Sequence, residues 1–419
     1  MTALHCGVDF GTTNSTIGLC AIGGSPRLIP VEGEHVNIPS ALFFSLEDGS
    51  VRFGRAAVAE YMEGADGRFM RALKSILGTS LMKETTQVGR ERMTFQTLIG
   101  RFLSHLRARL EDEHGQVPDK VVFGRPVHFV DDNETADATA QDQLLAAANA
   151  EGFSHVEFQF EPVAAAMHVE RMLNRETLAL VVDIGGGTSD FCVLRLGPDR
   201  ATRIERRDDI LSTAGVHVGG TDFDRQLSIA RMMPHFGLGT MTADGKRNLP
   251  VWYFNDMATW HRINQLYTAK ILRDIRALAR EAAHPELLER FEHLLTYRSG
   301  HRLAAEVESA KIVLSDRPEA TITFAEPGLH LDVPVTRAEF EDATAELVGK
   351  ISQAIDEALA LAGVSTGDIE TVVLTGGGAQ VPLVRAAATQ RFPHAFVPSS
   401  DQFGSVGLGL AVDAARRFG

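Results

Sequence analysis

A chain of 419 residues with 44% apolar content can bury more than one core and is too apolar to be disordered. Its formal charge of -14 opposes a polyanion, because nucleic-acid binding depends on neutralising phosphates with Lys and Arg, so nucleic acid is not an expected partner. No window reaches the ~20 apolar residues of a membrane span, and Asp9 interrupts the N-terminal apolar run too early for a secretory leader. The three cysteines, Cys6, Cys20 and Cys192, show no CxxC spacing. The expected setting is therefore the cytoplasm, with reduced thiols in the core.

In chain order, residues 3–53 read as β-rich, with turns at Gly23-Gly24, Glu32-Gly33 and Asp48-Gly49. Helices are predicted over 55–64, 95–113 and 134–151, the last a long Ala- and Gln-rich stretch ending at Gly152. The run 120–129 between them reads as a buried strand stopped near Pro126. A helix over 161–173 leads to strands at 178–184 and 190–196, and 221–315 is mostly helical, with His284-Pro285 dividing two amphipathic stretches. Strands return at 319–335, followed by a helix at 336–362, a strand within 371–378 and a last helix at 404–417. Such alternation belongs to α/β lobes.

Two distant runs repeat one pattern. VDFGTTNS (8–15) and VVDIGGGTSD (181–190) each place β-branched apolar residues before an aspartate and a Gly/Thr turn after it. Glycines there admit positive φ and close backbone approach, so successive N–H groups can form an anion-binding concavity. The two aspartates, Asp9 and Asp183, are 174 residues apart. This suggests a duplicated unit that grips one polyphosphate from both sides, its two carboxylates meeting at a metal. A third run, LTGGGAQ (374–380), also follows a strand but lacks the aspartate, which suits a nucleoside better than a phosphate. All three sit at the carboxyl ends of predicted strands, where open α/β sheets bind ligands, and should converge on one cleft.

The runs VDFGTTNS, EPVAAAMHVE, VVDIGGGTSDF, GGTDFD, EVESAKIVLS and LTGGGAQVPLV occur in an order and spacing similar to the nucleotide-binding domain of the DnaK-type heat-shock protein 70 family. The chain resembles that domain over nearly its whole length, least at 228–300. The runs GRPVHF, FQFEPVAAAMHVE, LVVDIGGGTSD and DQFGSVGLGLAVDAARRF look closest to the YegD-like branch. The resemblance implies an α/β, actin-like (ribonuclease H-like), duplicated two-lobed ATPase fold. Lobe I would cover 1–177, lobe II 178–403 with a helical insertion at about 228–300, and a C-terminal helix at 404–419 would cross back to lobe I. It also implies ATP/ADP and Mg2+ as ligands.

Residue by residue, the resemblance assigns Gly11, Thr12, Thr13 and Asn14 to the phosphates, and Gly185, Gly186, Gly187 and Thr188 to the facing loop, with Gly219 and Gly220 beside it. Asp9 and Asp183 would hold magnesium largely through its water shell, because that ion dehydrates reluctantly. Lys74 would position the attacking water and neutralise γ-phosphate charge, and Glu161 would orient that water or accept its proton. With Asp183 and Thr188 these form the expected catalytic set, in which positioning and charge stabilisation dominate. Glu308, Lys311 and Ser315 share one helical face and would contact adenine and ribose. Gly376, Gly377 and Gly378 would approach the ribose and α-phosphate, with Asp401 near the adenine. Each has a plainer alternative: a turn-capping aspartate, a solvated Lys74, a helix start at Glu161-Pro162, an exposed Glu308/Lys311 pair.

Several features depart from the family pattern. Gln380 stands where an arginine commonly stacks on the base, which weakens adenine packing. Eight residues after Pro126, matched to a proline linked to interdomain switching, Glu134 replaces an arginine. The chain stops at Gly419, directly after the last helix, so no peptide-binding domain is expected. Residues 228–300 run longer than usual and carry Trp252, Tyr253, Phe254 and Trp260, either a partner surface or a local core. Two Gly- and Ala-rich helices, 164–169 and 404–415, would link the lobes at a close crossing that permits rotation. The expected function is a slow Mg-ATP-hydrolysing switch in protein folding or quality control, meeting co-chaperones or clients on an unassigned surface. An actin-fold small-molecule kinase and a nucleotide-dependent filament or scaffold are the alternatives.

Overall fold

Two β-sheets of matching design carry the chain, which the computed structural model describes over residues 4–89, 91–115, 118, 120–130, 133–398 and 404–419. The first sheet runs in spatial order His155–Phe160, Lys120–Arg125, Leu4–Phe10, Asn14–Ala21 and Arg27–Leu28, with Asn37–Pro39 also on Asn14–Ala21. The second runs Thr371–Thr375, Thr177–Ile184, Ser189–Leu196 and Ile210–Val216. In each, the aspartate-bearing strand has its hairpin partner antiparallel on one side and a later strand parallel on the other. The duplicated, two-lobed, actin-like α/β fold is thus repeated in strand order as well as in motif.

The central strands are buried on both faces, as parallel pairing requires. Along Thr177–Ile184 the side chains alternate: Leu180, Val182 and Ile184 join the large core of lobe II, while Ala179 and Val181 face the helices between the sheets. Cys6, Val8 and Phe10 face the core of lobe I. The opposite face of that strand is nearly bare, and the C-terminal helix Ser405–Phe418 lies directly on it. A Cβ on Gly7 would stand 2.4 Å from Ala411 N, and one on Gly409 would stand 1.8 Å from the carbonyl oxygen of Ala164, in the crossing helix Glu161–Glu170. Small residues at this crossing let one helix touch both lobes.

Ion networks fix the far end of the same crossing. Asp413 is fully buried and receives Gln159 Nε2 at 2.9 Å, Arg417 Nε at 2.8 Å and Arg416 Nε at 3.0 Å. Arg416 also donates to Ala201 O at 2.8 Å, and Arg417 to Glu157 at 2.6 Å, so the last helical turn ties the first sheet to the start of the second lobe's 201–209 segment. There Arg206, buried, is answered by both oxygens of Glu170 and by Asp209.

Between Gly220–Leu227 and Gly300–Asp316 the chain forms short helices, among them Trp252–Met257, Ala269–Glu281 and Pro285–Thr296. Tyr253 and Phe254 are buried there, whereas Trp252 is exposed and stacks on Tyr253. The four aromatics of this region therefore divide between core and surface. Strand Ile210–Val216 is absent from the sequence reading; its Ala and Gly have little strand preference, and pairing with Ser189–Leu196 forms it, with an irregularity at Val193/Leu194. The hairpin Thr85–Val88/Glu91–Thr94 was equally unmarked by any apolar alternation. Cys6, Cys20 and Cys192 are free and buried, and burial pushes each thiol pKa up. Among the described residues no helix is long and apolar enough to cross a membrane.

The helix crossing yields a direct test. Gly409→Ala would drive a methyl group into backbone, and overpacking of this kind costs about 2 kcal/mol or more. Chemical denaturation should show that loss, while Gly349→Ala, at a site with nothing within 4 Å of its added Cβ, should show none.

Candidate functional site

The carboxyl ends of the parallel strands meet between the lobes, and each phosphate-type loop is fastened there by its carbonyls. Gly11 O accepts from Ser40 Oγ at 2.6 Å and Thr13 O from Ser40 N at 2.8 Å. In the facing loop, Gly185 N donates to Thr188 O at 2.9 Å, Gly220 N to Gly185 O at 2.9 Å, and Thr221 N and Oγ1 both to Gly186 O at 2.8 Å. Engaging the carbonyls inside the protein leaves each loop's concavity suited to an anion. The loops nearly touch: a Cβ on Gly186 would lie 2.5 Å from Thr13 Oγ1. In the third loop Gly376 has φ +80° and no room for a side chain, its Cβ position falling 2.3 Å from Ile184 O and 2.7 Å from Asp183 Oδ1.

Lys74 and Glu161 form a short ion pair, with Lys74 buried. The lysine rides on the 3-10 turn Leu73–Ile76, entered through Ala72 at φ 57°, a left-handed conformation that a non-glycine adopts only when its surroundings impose it. Glu161 is the first residue of helix Glu161–Glu170, directly after strand His155–Phe160, with Pro162 in the first turn. It is therefore both a helix start and a member of the site.

Four carboxylates and one lysine share this place. Burial first, then the charge of Glu161, pushes Asp9 up to about 7, with Lys74 opposing. Burial first, then Asp190, Glu161 and Asp9, pushes Asp183 up to about 8. Such crowding suits a cation. Among the described residues no three His, Cys, Asp or Glu side chains converge to hold a metal directly, while the charge of Asp9 is felt at Asp183 across the cleft that both line.

The cleft has a volume of about 330 Å³, and its lining contains Asp9, Gly11, Thr12, Thr13, Asn14, Lys74, Glu161, Asp183, Gly185, Gly186, Gly187, Thr188, Gly220, Glu308, Lys311, Gly376, Gly377 and Gly378. Lys311 reaches Asp224 at 2.8 Å, and burial raises Asp224 to about 6 against that lysine's pull. The structure does not bring Gly219 or Ser315 into the lining. Gly219 packs beneath Gly186 and Gly187, and Ser315 Oγ donates back to Lys311 O at 3.3 Å. Asp401 lies outside the described residues.

The departures from the family pattern also find places. Gln380 is exposed and does not line the cleft, whereas Ile312, unnoticed in the sequence, does. Glu134 begins helix Glu134–Ala150, capped by Asn133. The turn after Pro126 is held instead by Arg125, which donates to Pro126 O at 3.0 Å, Val127 O at 3.2 Å, Asp137 at 2.6 Å and Gln141 at 2.6 Å.

Sequence reasoning missed Asp190, although it stands in the second motif. The hairpin register pairs it with Asp183, as the first hairpin pairs Thr16 with Asp9. Directly opposed residues lie close enough for like charges to repel, and that pairing was the available signal. Also missed was a clasp above the cleft. Tyr61 of lobe I stacks on Phe69, lies edge-on to His301 at 4.5 Å and accepts a short hydrogen bond from Asn264 Nδ2; Arg71 sits 5.5 Å over the Trp260 ring.

The raised carboxylates set a pH dependence for the ligand-free protein. From the ordinary value near 3.8 up to about 8, folded Asp183 keeps a proton that the unfolded chain releases. Stability should therefore fall as pH rises through that window and level off above it. Asp183→Asn removes this loss: its melting temperature should exceed wild type at about pH 8 and approach it near pH 4, as thermal melts across the range would show.

The sequence pattern of the Hsp70 protein family matches residues 5–236 and 293–418, passing over 237–292. The chain is 26% identical over 389 residues to the chaperone protein DnaK of Mycoplasmopsis agalactiae, covering 90% of this chain and 53% of that protein. It is 27% identical over 420 aligned positions to the chaperone protein DnaK of Thermotoga petrophila, covering 98% and 59%. The chain thus spans little more than half the length of these curated relatives. Because the family pattern covers both lobes and every glycine loop that meets in the cleft, the chain belongs to the Hsp70 family.

Proposed function

We propose that the cleft binds Mg-ATP and hydrolyses it slowly to ADP and phosphate, as a nucleotide switch in protein folding or quality control. The convergence of two carbonyl-fastened loops on a Lys74–Glu161 pair flanked by Asp9 and Asp183 is the observation that carries this reading. Thr12, Thr13 and Asn14 from lobe I, and Gly185 to Thr188 from lobe II, face the phosphates; Glu308 and Lys311 face the nucleoside, with Gly376 to Gly378 beneath it. Asp9 and Asp183 fit a small divalent ion that keeps most of its water, and bound there it would neutralise phosphate charge. Glu161 accepts a hydrogen bond, and then a proton, from a water aimed at the γ-phosphorus. Lys74 holds that carboxylate in place and offsets charge on the γ-oxygens. The water oxygen bonds to phosphorus as the bridging oxygen leaves with ADP.

ATP touching both loops favours the closed arrangement because it contacts both lobes, and loss of the γ-phosphate removes that bias. The relatives are named chaperones, which supports clients or co-chaperones as partners. Three free, buried thiols are compatible with a cytoplasmic setting. Phosphate release from ATP and magnesium tests the site. Asp9→Ala and Lys74→Ala should each lower turnover by about a hundredfold, and release equal to wild type from both would refute the assignment.

A further inference from the structure

We infer that orthophosphate formed in the cleft leaves through a second cavity behind the carboxylates, while ADP is still bound in front; this rests on the ATP-hydrolysis reading. The second cavity, of about 220 Å³, shares Glu161, Asp183, Thr188, Asp190 and Thr375 with the cleft. Those shared residues stand between the two cavities, at the end of the cleft where Lys74 and Glu161 meet. Beyond them the walls come from both lobes: Val127 and His128 on one side, Thr213, Gly215 and His217 on the other. His128, Gly215 and His217 are exposed and mark the outer mouth.

A further cavity of about 230 Å³ also adjoins the cleft, past Thr12, Thr13 and Glu308 toward Trp260, but of the two only the rear one is lined by Glu161, beside which the phosphate forms. Bound ADP fills the nucleoside end, and the Tyr61–Trp260–His301 clasp ties the lobes above. At ~30 Å³ per water the rear cavity corresponds to about seven waters, ample for a tetrahedral anion. Thr213 and the two imidazoles offer hydrogen-bond donors along it. The charge of Glu161 is offset by Lys74, whereas Asp190 repels an anion, so the cavity acts as a passage and not as a store.

Rapid-quench measurement of ATP cleavage, a fluorescent sensor for free phosphate and a fluorescent ADP analogue separate the three steps. Val127→Trp and Thr213→Trp fill the passage from opposite walls. Each should retain the cleavage rate and ADP release but slow phosphate release by about tenfold, as expected where product egress limits a cycle. His128→Ala with His217→Ala, both at the surface, should slow phosphate release alone; this pair decides the matter if a tryptophan variant fails to fold. Phosphate release at the wild-type rate, in variants that still cleave ATP, would overturn the rear route and leave the hydrolysis reading intact. Absence of cleavage by the wild-type protein would overturn both.

Discussion

Four carboxylates around one lysine are the constraint from which the rest of this molecule follows. Asp9 and Glu161 come from strand ends of the first sheet and Asp183 and Asp190 from the hairpin of the second, and all four line one cleft between the lobes. Lys74 answers only one of them directly. Burial then raises two aspartates far above the ordinary carboxylate range, a cost that a fold carries where charge has to be handled. The surrounding glycine loops, fastened by their carbonyls, supply the complementary polarity.

Holding such a site needs two bodies kept in register without being fused. The C-terminal helix does this by lying against the bare face of the first sheet and crossing Glu161–Glu170 at backbone contact. Its last turn then anchors to both lobes through Asp413, Arg416 and Arg417. At the opposite edge the lobes meet through aromatic rings and one amide. A firm base and a lighter clasp are the anatomy of a hinge.

Much of this was legible in the sequence because the motifs are local. An aspartate at a strand end followed by Gly and Thr states its geometry within eight residues, and Glu161 announces itself by Pro162 and an alanine run. Lys74 was visible only through resemblance: its burial depends on the strained Ala72 and a partner far along the chain. Asp190 was hidden by the imperfect repeat, since the first copy has Thr16, buried beneath the C-terminal helix, at the matching position. Strand Ile210–Val216 owes its form to its neighbour. The clasp joins segments far apart in the chain, a contact no periodicity records.

The buried thiols have a practical meaning. With Cys6, Cys20 and Cys192 inside the cores and their protons held tightly, the thiolate that reacts with maleimides or disulfide reagents is scarce near neutrality. A cysteine placed on the outer surface of each lobe would therefore take a dye or spin label selectively. Hinge opening could then be followed as a distance in solution, with every native residue of the interior left in place.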